Sequence, residues 1–135
     1  MSVQIKQVIL DSIAVKQQLL NDVTVIAKLD AISDLIVDAF RKGKKVLFCG
    51  NGGSAADAQH LAAEFSGRFY LDREALPAEA LHVNTSYLTA IANDYSFEVA
   101  YARLVKGIGH AGDVLVGLST SRNSPNIIEA FKAAK

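Results

Sequence analysis

Two short stretches of this chain carry side chains whose types and spacing suit chemistry. In the first stretch, His60 and Glu64 are four residues apart in a segment of helix-forming composition, which places an imidazole and a carboxylate on one helix face. Such a pair can hold one metal ion or serve one substrate. It can equally be a solvated pair of side chains on neighbouring helical turns. The spacing alone leaves both interpretations open.

The second stretch, residues 119–124, is crowded with hydroxyl and amide side chains. Pro125 suits the first position of a helix, with Ser124 as its cap. Hydroxyl groups and backbone N–H groups at such a turn can all donate to one anion, as in a phosphate cradle. The alternative is a well-capped helix start whose hydroxyls are solvated.

Each stretch is positioned by a short apolar run that precedes it. Val46 to Cys49 is unbroken and apolar, as expected of a strand buried on both faces of a parallel sheet, and Asp113 to Leu118 has the same character. After the first run, Gly50 to Gly53 forms a turn, and Ser54 is predicted to cap a helix over 55–65. A glycine turn before a helix directs N–H groups and a positive dipole at a ligand, so an anionic or hydroxyl-rich ligand is expected.

The rest of the chain alternates in the same way. We predict a long leading helix over residues 3–20, a second helix over 31–42 capped by Asp30, and a polar loop over 70–77. A strand is expected at 80–83, then a short helix capped by Ser86 that ends at Asn93 and Asp94, and a helix over 97–105. This order predicts an α/β fold, a doubly wound parallel sheet of flavodoxin-like type flanked by helices, with ligands beyond the carboxyl ends of its strands.

Composition narrows the classes of function. The 135 residues suit one domain, and lysine plus arginine balance aspartate plus glutamate at 14 each, with a pI of about 6.8. This balance gives no electrostatic footprint for nucleic acid or an anionic membrane, so neither is expected as a partner. The single cysteine, Cys49, excludes an internal disulfide, and no signal peptide or membrane span is visible. We therefore expect a cytoplasmic protein.

Several weaker motifs give less information about function. Residues 50–55 formally match the dinucleotide fingerprint, but the acidic residue expected at the end of the next strand is missing. No lysine follows the glycines, which argues against a nucleotide P-loop. His82 and His110 are interpreted as a strand residue and a turn residue rather than as ligands.

Taken in order, the motifs resemble a known family. The segments GNGGSAADAQHLAAEFSGRF, IANDYSF and GDVLVGLSTSRNSPN are similar to the sugar isomerase (SIS) family and, within it, to the phosphoheptose isomerases. The resemblance covers nearly the whole chain. It implies an aldose-ketose isomerase that converts sedoheptulose 7-phosphate to D-glycero-D-manno-heptose 7-phosphate for cell-envelope heptose (lipopolysaccharide) synthesis, in homotetramers whose sites lie between subunits.

The resemblance also assigns roles to individual residues. It implies that His60 and Glu64 bind zinc and that Glu64 is the catalytic base. Substrate contacts are implied for Asn51, Gly52, Gly53, Glu64, Asn93, Asp94, Ser119, Thr120, Ser121 and Ser124, the four hydroxyl residues serving the phosphate. This chemistry is coherent, because moving a carbonyl between neighbouring carbons needs a base, an enediolate stabiliser and an anchor for the substrate.

Two departures from the family pattern lead to further expectations. The family's phosphate turn reads S-T-S-G-N-S, whereas position 122 here is arginine, which would be strained at a positive φ or would pair with the phosphate. Family chains continue past Lys135 with the remaining zinc ligands and a second acid/base, so we expect a single SIS-like domain over 1–135 that is C-terminally incomplete. Such a chain should self-associate, bind zinc weakly and show little or no isomerase activity until the family's C-terminal segment is restored. Alternative readings are a non-catalytic phosphosugar-binding or protein-docking module and a fragment that only oligomerises.

Overall fold

Three parallel strands form the centre of the fold. A computed structural model describes residues 2–135, with side chains from residue 4 onward. The strands are β1 (Val46–Gly50), β2 (Ala78–Ala80) and β3 (Val114–Leu118), in the order β2-β1-β3. The helices are α1 (Ser2–Asn21), α2 (Val23–Arg41), α3 (Gly53–Ser66), α4 (Thr85–Asp94), α5 (Ala100–Ile108) and α6 (Pro125–Ala134), with one 3-10 turn at Phe97–Val99. The predicted parallel α/β fold is confirmed.

Strand β1 is fully buried because helices cover both of its faces. Its side chains alternate, and Phe48 stacks on Phe65 of α3 with ring centroids 6.0 Å apart. On the other face, Leu47 and Cys49 join a core cluster with Tyr101 of α5 and Ile127 of α6. Burial raises the pKa of the Cys49 thiol to about 12, so this cysteine is an apolar core residue rather than a nucleophile.

Contacts within the chain divide it into residues up to 37 and residues 38–135. The first unit consists of α1 and most of α2, and the predicted leading helix is confirmed. It carries many exposed apolar side chains: Ile5, Val8, Ile9, Leu10, Ile13, Val15, Leu19, Leu20, Val23, Ile26, Leu29, Ile32, Leu35 and Val37. No helix in the described part of the chain is both long enough and apolar enough to span a membrane.

Outside the functional site, four elements have different bounds or caps from those predicted. Helix α2 begins eight residues before Ala31, because Asp22 rather than Asp30 accepts the first free N–H groups, those of Thr24 and Val25. Strand β2 ends at Ala80, the last residue in register with β1, and only the Leu81 N–H still reaches the Phe48 carbonyl.

The other two differences lie in the helices that follow β2. Asn84, not Ser86, caps α4, by accepting a hydrogen bond from the Tyr87 N–H over 3.2 Å. The helix predicted over 97–105 is a 3-10 turn followed by α5, which runs through Gly107 and is capped by Gly109.

Asp113 aligns β1 with β3 at the amino edge of the sheet. Its carboxylate accepts hydrogen bonds from the backbone N–H groups of Lys45 and His110 and from the Lys45 ammonium, which lies 2.7 Å away. Burial alone would raise the pKa of Asp113, but these hydrogen bonds and the Lys45 charge lower it to about 2. The pair therefore holds the register that brings the carboxyl ends of β1 and β3 side by side.

Because the folded pKa of Asp113 is depressed, its contribution to stability is complete above the ordinary value of 3.8 and is lost as pH falls toward about 2. We expect Asp113→Asn to lower the free energy of unfolding at neutral pH by about 2 kcal/mol. The difference from the parent should shrink between these two pH values in urea titrations. The exposed Asp72→Asn variant is the control, and a pH-independent deficit would contradict the assignment.

Candidate functional site

Two turns meet at the carboxyl edge of the sheet. The register pairs Cys49 with Gly117 and Gly50 with Leu118, so the chain leaves β1 and β3 at neighbouring points. Between the two turns lies a small cavity of about 80 Å³. Its lining combines the glycine turn and the hydroxyl-rich turn: Asn51, Ser54, Leu118, Ser119, Thr120, Ser121 and Ser124. The glycine turn after β1 and the hydroxyl-rich turn after β3 therefore face one space.

A reciprocal amide pair ties these turns together. The Asn51 side chain donates to Asn126 Oδ1 over 2.9 Å and accepts from Asn126 Nδ2 over 2.8 Å. Asn126 stands at the start of α6 and is only 2% exposed. Both hydrogen bonds lie in a site largely removed from water, where an unpaired amide is costly. The pair thus fixes the glycine turn against the helix that follows the hydroxyl turn.

A buried tyrosine forms a hydrogen bond with the last residue of β1. The Tyr101 hydroxyl donates to the Gly50 carbonyl over 2.6 Å, and burial, with a further contribution from Cys49, raises the Tyr101 pKa to about 12. A β-carbon at Gly50 would collide with the Ser54 carbonyl, so only glycine lets α3 start this close to the strand. Gly52 has φ 55° and takes the cap position, so the prediction that Ser54 caps α3 is wrong. Ser54 lies within the first turn instead.

The hydroxyl turn contains three serine side chains in mutual contact. Ser119 Oγ lies 3.3 Å from Ser121 Oγ and 3.2 Å from Ser124 Oγ, and the last two are 3.4 Å apart. Ser124 caps α6 and Pro125 occupies its first turn, as predicted, although no side-chain cap hydrogen bond forms. Three hydroxyls converging at a helix start can donate together to one tetrahedral anion.

Arg122 interrupts this turn with an unusual backbone. Its φ of 58° is the one positive value among the non-glycine residues that the structure describes. A side chain in the left-handed region costs on the order of 1 kcal/mol. The arginine is exposed, and within residues 4–135 its guanidinium takes part in none of the hydrogen bonds or ion pairs.

His60 and Glu64 share one face of α3, as predicted. His60 Nε2 lies 3.5 Å from Glu64 Oε1, with side chains 74% and 32% exposed. They border a groove of about 500 Å³, called here the α3 groove, whose other lining residues are Leu61, Phe65, Phe69, Tyr70, Leu71, Arg73 and Leu76. Arg73 holds this region in shape, because its guanidinium donates to the carbonyls of Glu64 and Phe65 at the end of α3 over 2.9 Å each.

The donor set around His60 does not complete a zinc site. Zinc in proteins takes three protein ligands plus water, or four protein ligands. Among the described residues, no cluster of three or more histidine, cysteine, aspartate or glutamate side chains is placed to hold a metal ion. The prediction that His60 and Glu64 bind zinc stays a prediction.

Glu64 is far from the serine turn along its helix. Eleven residues separate it from Gly53, the first residue of α3, which corresponds to roughly 16 Å of helix axis. An extended seven-carbon sugar phosphate separates its second carbon from phosphorus by only about 9 Å at ordinary bond lengths. Along the axis of α3, Glu64 therefore lies farther from the start of the helix than such a sugar phosphate extends from its second carbon to phosphorus.

Asn93 and Asp94 also lie apart from the cavity. They form the last two positions of α4, where Asn93 Nδ2 donates to Asp94 Oδ1 over 2.9 Å. The residues that line the cavity between the two turns include neither of them. Their predicted role in sugar binding stays a prediction.

Three residues that organise the site are not apparent from the sequence pattern: Asn126, Tyr101 and Arg73. From the sequence, Asn126 is simply a polar residue in the first turn of α6. Nothing in its local pattern predicts a partner 75 residues away. Tyr101 fits the apolar face of its helix, which hides its hydroxyl bond to Gly50. Arg73 lies in a polar loop, where an arginine is usually solvated.

Residues 13–135 match the model of the SIS domain, and the chain belongs to this family. Within the family, its relatives are phosphoheptose isomerases. It is 56% identical over 124 residues to the phosphoheptose isomerase of Clostridium acetobutylicum, covering 92% of this chain and 63% of that protein. The one from Mycobacterium tuberculosis (strain H37Ra) is 46% identical over 130 residues, covering 96% of this chain and 66% of the relative. The chain thus spans less than two thirds of these curated relatives.

Two solved structures have the same fold. The phosphoheptose isomerase of Neisseria gonorrhoeae matches with a TM-score of 0.87 and 45% identity, covering 98% of this chain and 68% of that one. The enzyme from Francisella tularensis matches with a TM-score of 0.89 and 33% identity, covering 99% and 70%. The family resemblance read from the motifs is confirmed.

The amide pair yields a direct test of the turn architecture. We expect Asn126→Ala to lower the free energy of unfolding by about 1 to 3 kcal/mol, because it leaves the Asn51 amide without its buried partner. Asn123→Ala, three positions earlier on the exposed part of the turn, should change it by less than about 0.5 kcal/mol. Urea denaturation measures both. Equal effects of the two variants would mean that the pair does not hold the turns.

Proposed function

We propose that this SIS domain binds a phosphorylated ketose and isomerises it, converting sedoheptulose 7-phosphate to D-glycero-D-manno-heptose 7-phosphate. The observation that carries the proposal is the meeting of the serine cluster with the glycine turn around one small cavity. The similarity to phosphoheptose isomerases supports the choice of reaction and of sugar. A cytoplasmic location and a role in cell-envelope heptose synthesis belong to the same proposal.

The serine turn would anchor the phosphate. Hydroxyls of Ser119, Ser121 and Ser124, with Thr120 beside them, can replace the bonds they make to one another with bonds to phosphate oxygens. Asn51 lines the opposite wall, where its amide can donate to a sugar hydroxyl, and we assign further sugar contacts to the N–H groups of Gly52 and Gly53 at the start of α3. Holding the distant phosphate in this way fixes the position of the reacting carbons.

Glu64 is the proposed base. Its carboxylate would take the proton from the first carbon of the ketose, so that the bonding pair forms a carbon-carbon double bond and the carbonyl oxygen becomes an enediolate. Return of that proton to the second carbon, with transfer of the first hydroxyl's proton to the oxygen on the second carbon, gives the aldose. The return step needs an acid, and His60, whose Nε2 lies 3.5 Å from Glu64 Oε1, is the proposed donor.

Two copies of the chain would form one site. Since Glu64 is roughly 16 Å along α3 from the glycine turn, a substrate anchored at the serine turn of one copy would meet Glu64 of another. The apolar α3 groove beside Glu64, with Phe69, Tyr70 and Leu71 strongly exposed, offers a surface for that contact. We therefore include a homo-oligomer, of the tetrameric kind expected from the family, in the proposal.

The proposal assigns only part of a zinc site to this chain. His60 and Glu64 are the two donors that this chain would contribute, and a bound zinc would supply Lewis-acid chemistry at a sugar oxygen. With two donors, the 135-residue chain should bind zinc weakly. No step above depends on the metal.

A second candidate function is a non-catalytic phosphosugar-binding module. The wide separation between Glu64 and the serine turn favours it, because a chain that binds through its serine turn alone has no use for a distant base. The two candidates differ in one measurable property, which is whether the carbon-bound proton of the sugar exchanges with solvent.

The first test addresses the base. The protein incubated with sedoheptulose 7-phosphate in deuterated water should exchange the proton at the first carbon, which requires a base but no second acid. Glu64→Gln should abolish exchange and preserve sugar-phosphate binding, because it removes the base and keeps the shape. Glu74→Gln, in the following loop, is the control. Proton NMR that finds equal exchange in the parent and the Glu64 variant, or none in either, would remove Glu64 from the mechanism.

The second test addresses the anchor. Ser121→Ala and Ser124→Ala should each weaken binding of sedoheptulose 7-phosphate by about 1 to 3 kcal/mol, the usual loss for a hydrogen bond to a charged group. Binding of unphosphorylated sedoheptulose should not change. Calorimetry with Ser86→Ala, an exposed serine at the start of α4, supplies the baseline. If both sugars lose affinity equally, the phosphate is bound elsewhere.

A further inference from the structure

Arg122 lies at the centre of the serine turn and has a backbone conformation that is unfavourable for arginine. Its φ of 58° lies in the left-handed region, which glycine and asparagine occupy far more readily than arginine. Conformational cost of this kind persists where the surrounding structure or a function maintains it. Within residues 4–135 no hydrogen bond or ion pair of the guanidinium offsets the cost.

The surroundings of Arg122 point to an anion. Two cavities adjoin at the turn and share Ser119 and Ser124 as part of their walls. Asn51 and Ser54 line the smaller one, whereas Arg122 lines the other, of about 250 Å³. The serine hydroxyls therefore have the glycine turn on one side and the arginine on the other.

The positive charge of Arg122 also has no acidic residue near it in the sequence. From residue 119 to residue 128, Arg122 is the only charged side chain, and the nearest acid along the chain, Glu129, pairs with Lys132 over 2.6 Å. A cation with no acidic neighbour, beside three converging hydroxyls, suits a ligand with more than one negative charge. A phosphate monoester carries between one and two negative charges near neutral pH, because its second pKa is about 6.

We propose that Arg122 is a specificity-determining residue that selects the dianionic phosphoryl group, by closing over it from the side opposite the glycine turn. This inference rests on the proposed phosphate site. It assigns to one residue a discrimination against singly charged ligands, in addition to the preference for phosphorylated sugars that the serine hydroxyls supply. The unfavourable backbone conformation at position 122 is then maintained because Arg122 binds the phosphate.

The proposal predicts opposite effects of one substitution on stability and on binding. Arg122→Gly removes the strained side chain, so the variant should melt at the same temperature as the parent or a few degrees higher. The same variant should bind sedoheptulose 7-phosphate between about tenfold and a hundredfold more weakly, the loss expected for hydrogen bonds to a charged group. A residue that only maintains the turn would lose stability and binding together.

The experiment measures binding of sedoheptulose 7-phosphate and of sedoheptulose by calorimetry, with melting temperatures for each variant. Arg122→Lys keeps the charge but not the planar fork and should fall between parent and Arg122→Gly. Arg41→Gln, which removes an exposed positive charge at the end of α2, should match the parent. For the parent, the preference for the phosphorylated sugar should decline below pH 6 as the ligand loses its second charge, and for Arg122→Gly it should depend less on pH.

Three results would overturn the inference. Equal affinity of Arg122→Gly and parent for the phosphorylated sugar would remove the arginine from the site while leaving the proposed function intact. A melting temperature well below the parent would make Arg122 structural. Failure of the parent to prefer the phosphorylated sugar at all would overturn the phosphate site itself, and the role of Arg122 with it.

Discussion

The reciprocal hydrogen bonds between Asn51 and Asn126 are the constraint on which the site depends. Each turn is built locally, by glycines after β1 and by serines after β3, but local rules do not fix one turn against the other. The amide pair does so across 75 residues of sequence, in a place where either amide alone would be a buried unsatisfied group. Tyr101 beneath Gly50 and Asp113 at the opposite edge hold the two strands in the register that this pair requires.

Position along α3 separates the two proposed halves of the chemistry. The start of the helix borders the cavity through Ser54, while His60 and Glu64 lie near its other end beside an exposed apolar groove. A helix is rigid on this scale, so Glu64 stays roughly 16 Å along the axis of α3 from the glycine turn. The separation thus distinguishes a site shared between copies from a site within one chain, and it gives the non-catalytic alternative its physical basis.

The sequence predicted the parts of the fold that rest on local patterns. Buried apolar runs marked β1 and β3, and Pro125 with Ser124 marked the start of α6. Helix caps were less predictable, because several polar residues compete at each helix start. Asp22 caps α2 instead of Asp30, Asn84 caps α4 instead of Ser86, and Gly52 caps α3 instead of Ser54. Strand β2 was misplaced because Leu81 is buried like a strand residue but lies beyond the register with β1. For the site, the pattern indicated the candidate residues but not the amide pair that joins the turns, since that depends on tertiary contact.

The account is tested most directly by mixing two defective chains. One chain carries Glu64→Gln, and the other carries Ser121→Ala with Ser124→Ala, so neither offers both a base and a phosphate anchor. Solvent exchange of the carbon-bound proton is then followed by NMR at low concentrations of sedoheptulose 7-phosphate. If sites are shared between copies, mixed oligomers contain some sites with both intact halves, and exchange should exceed the sum of the two chains measured separately. Exchange equal to that sum would contradict the account, because it would mean that one chain supplies both groups.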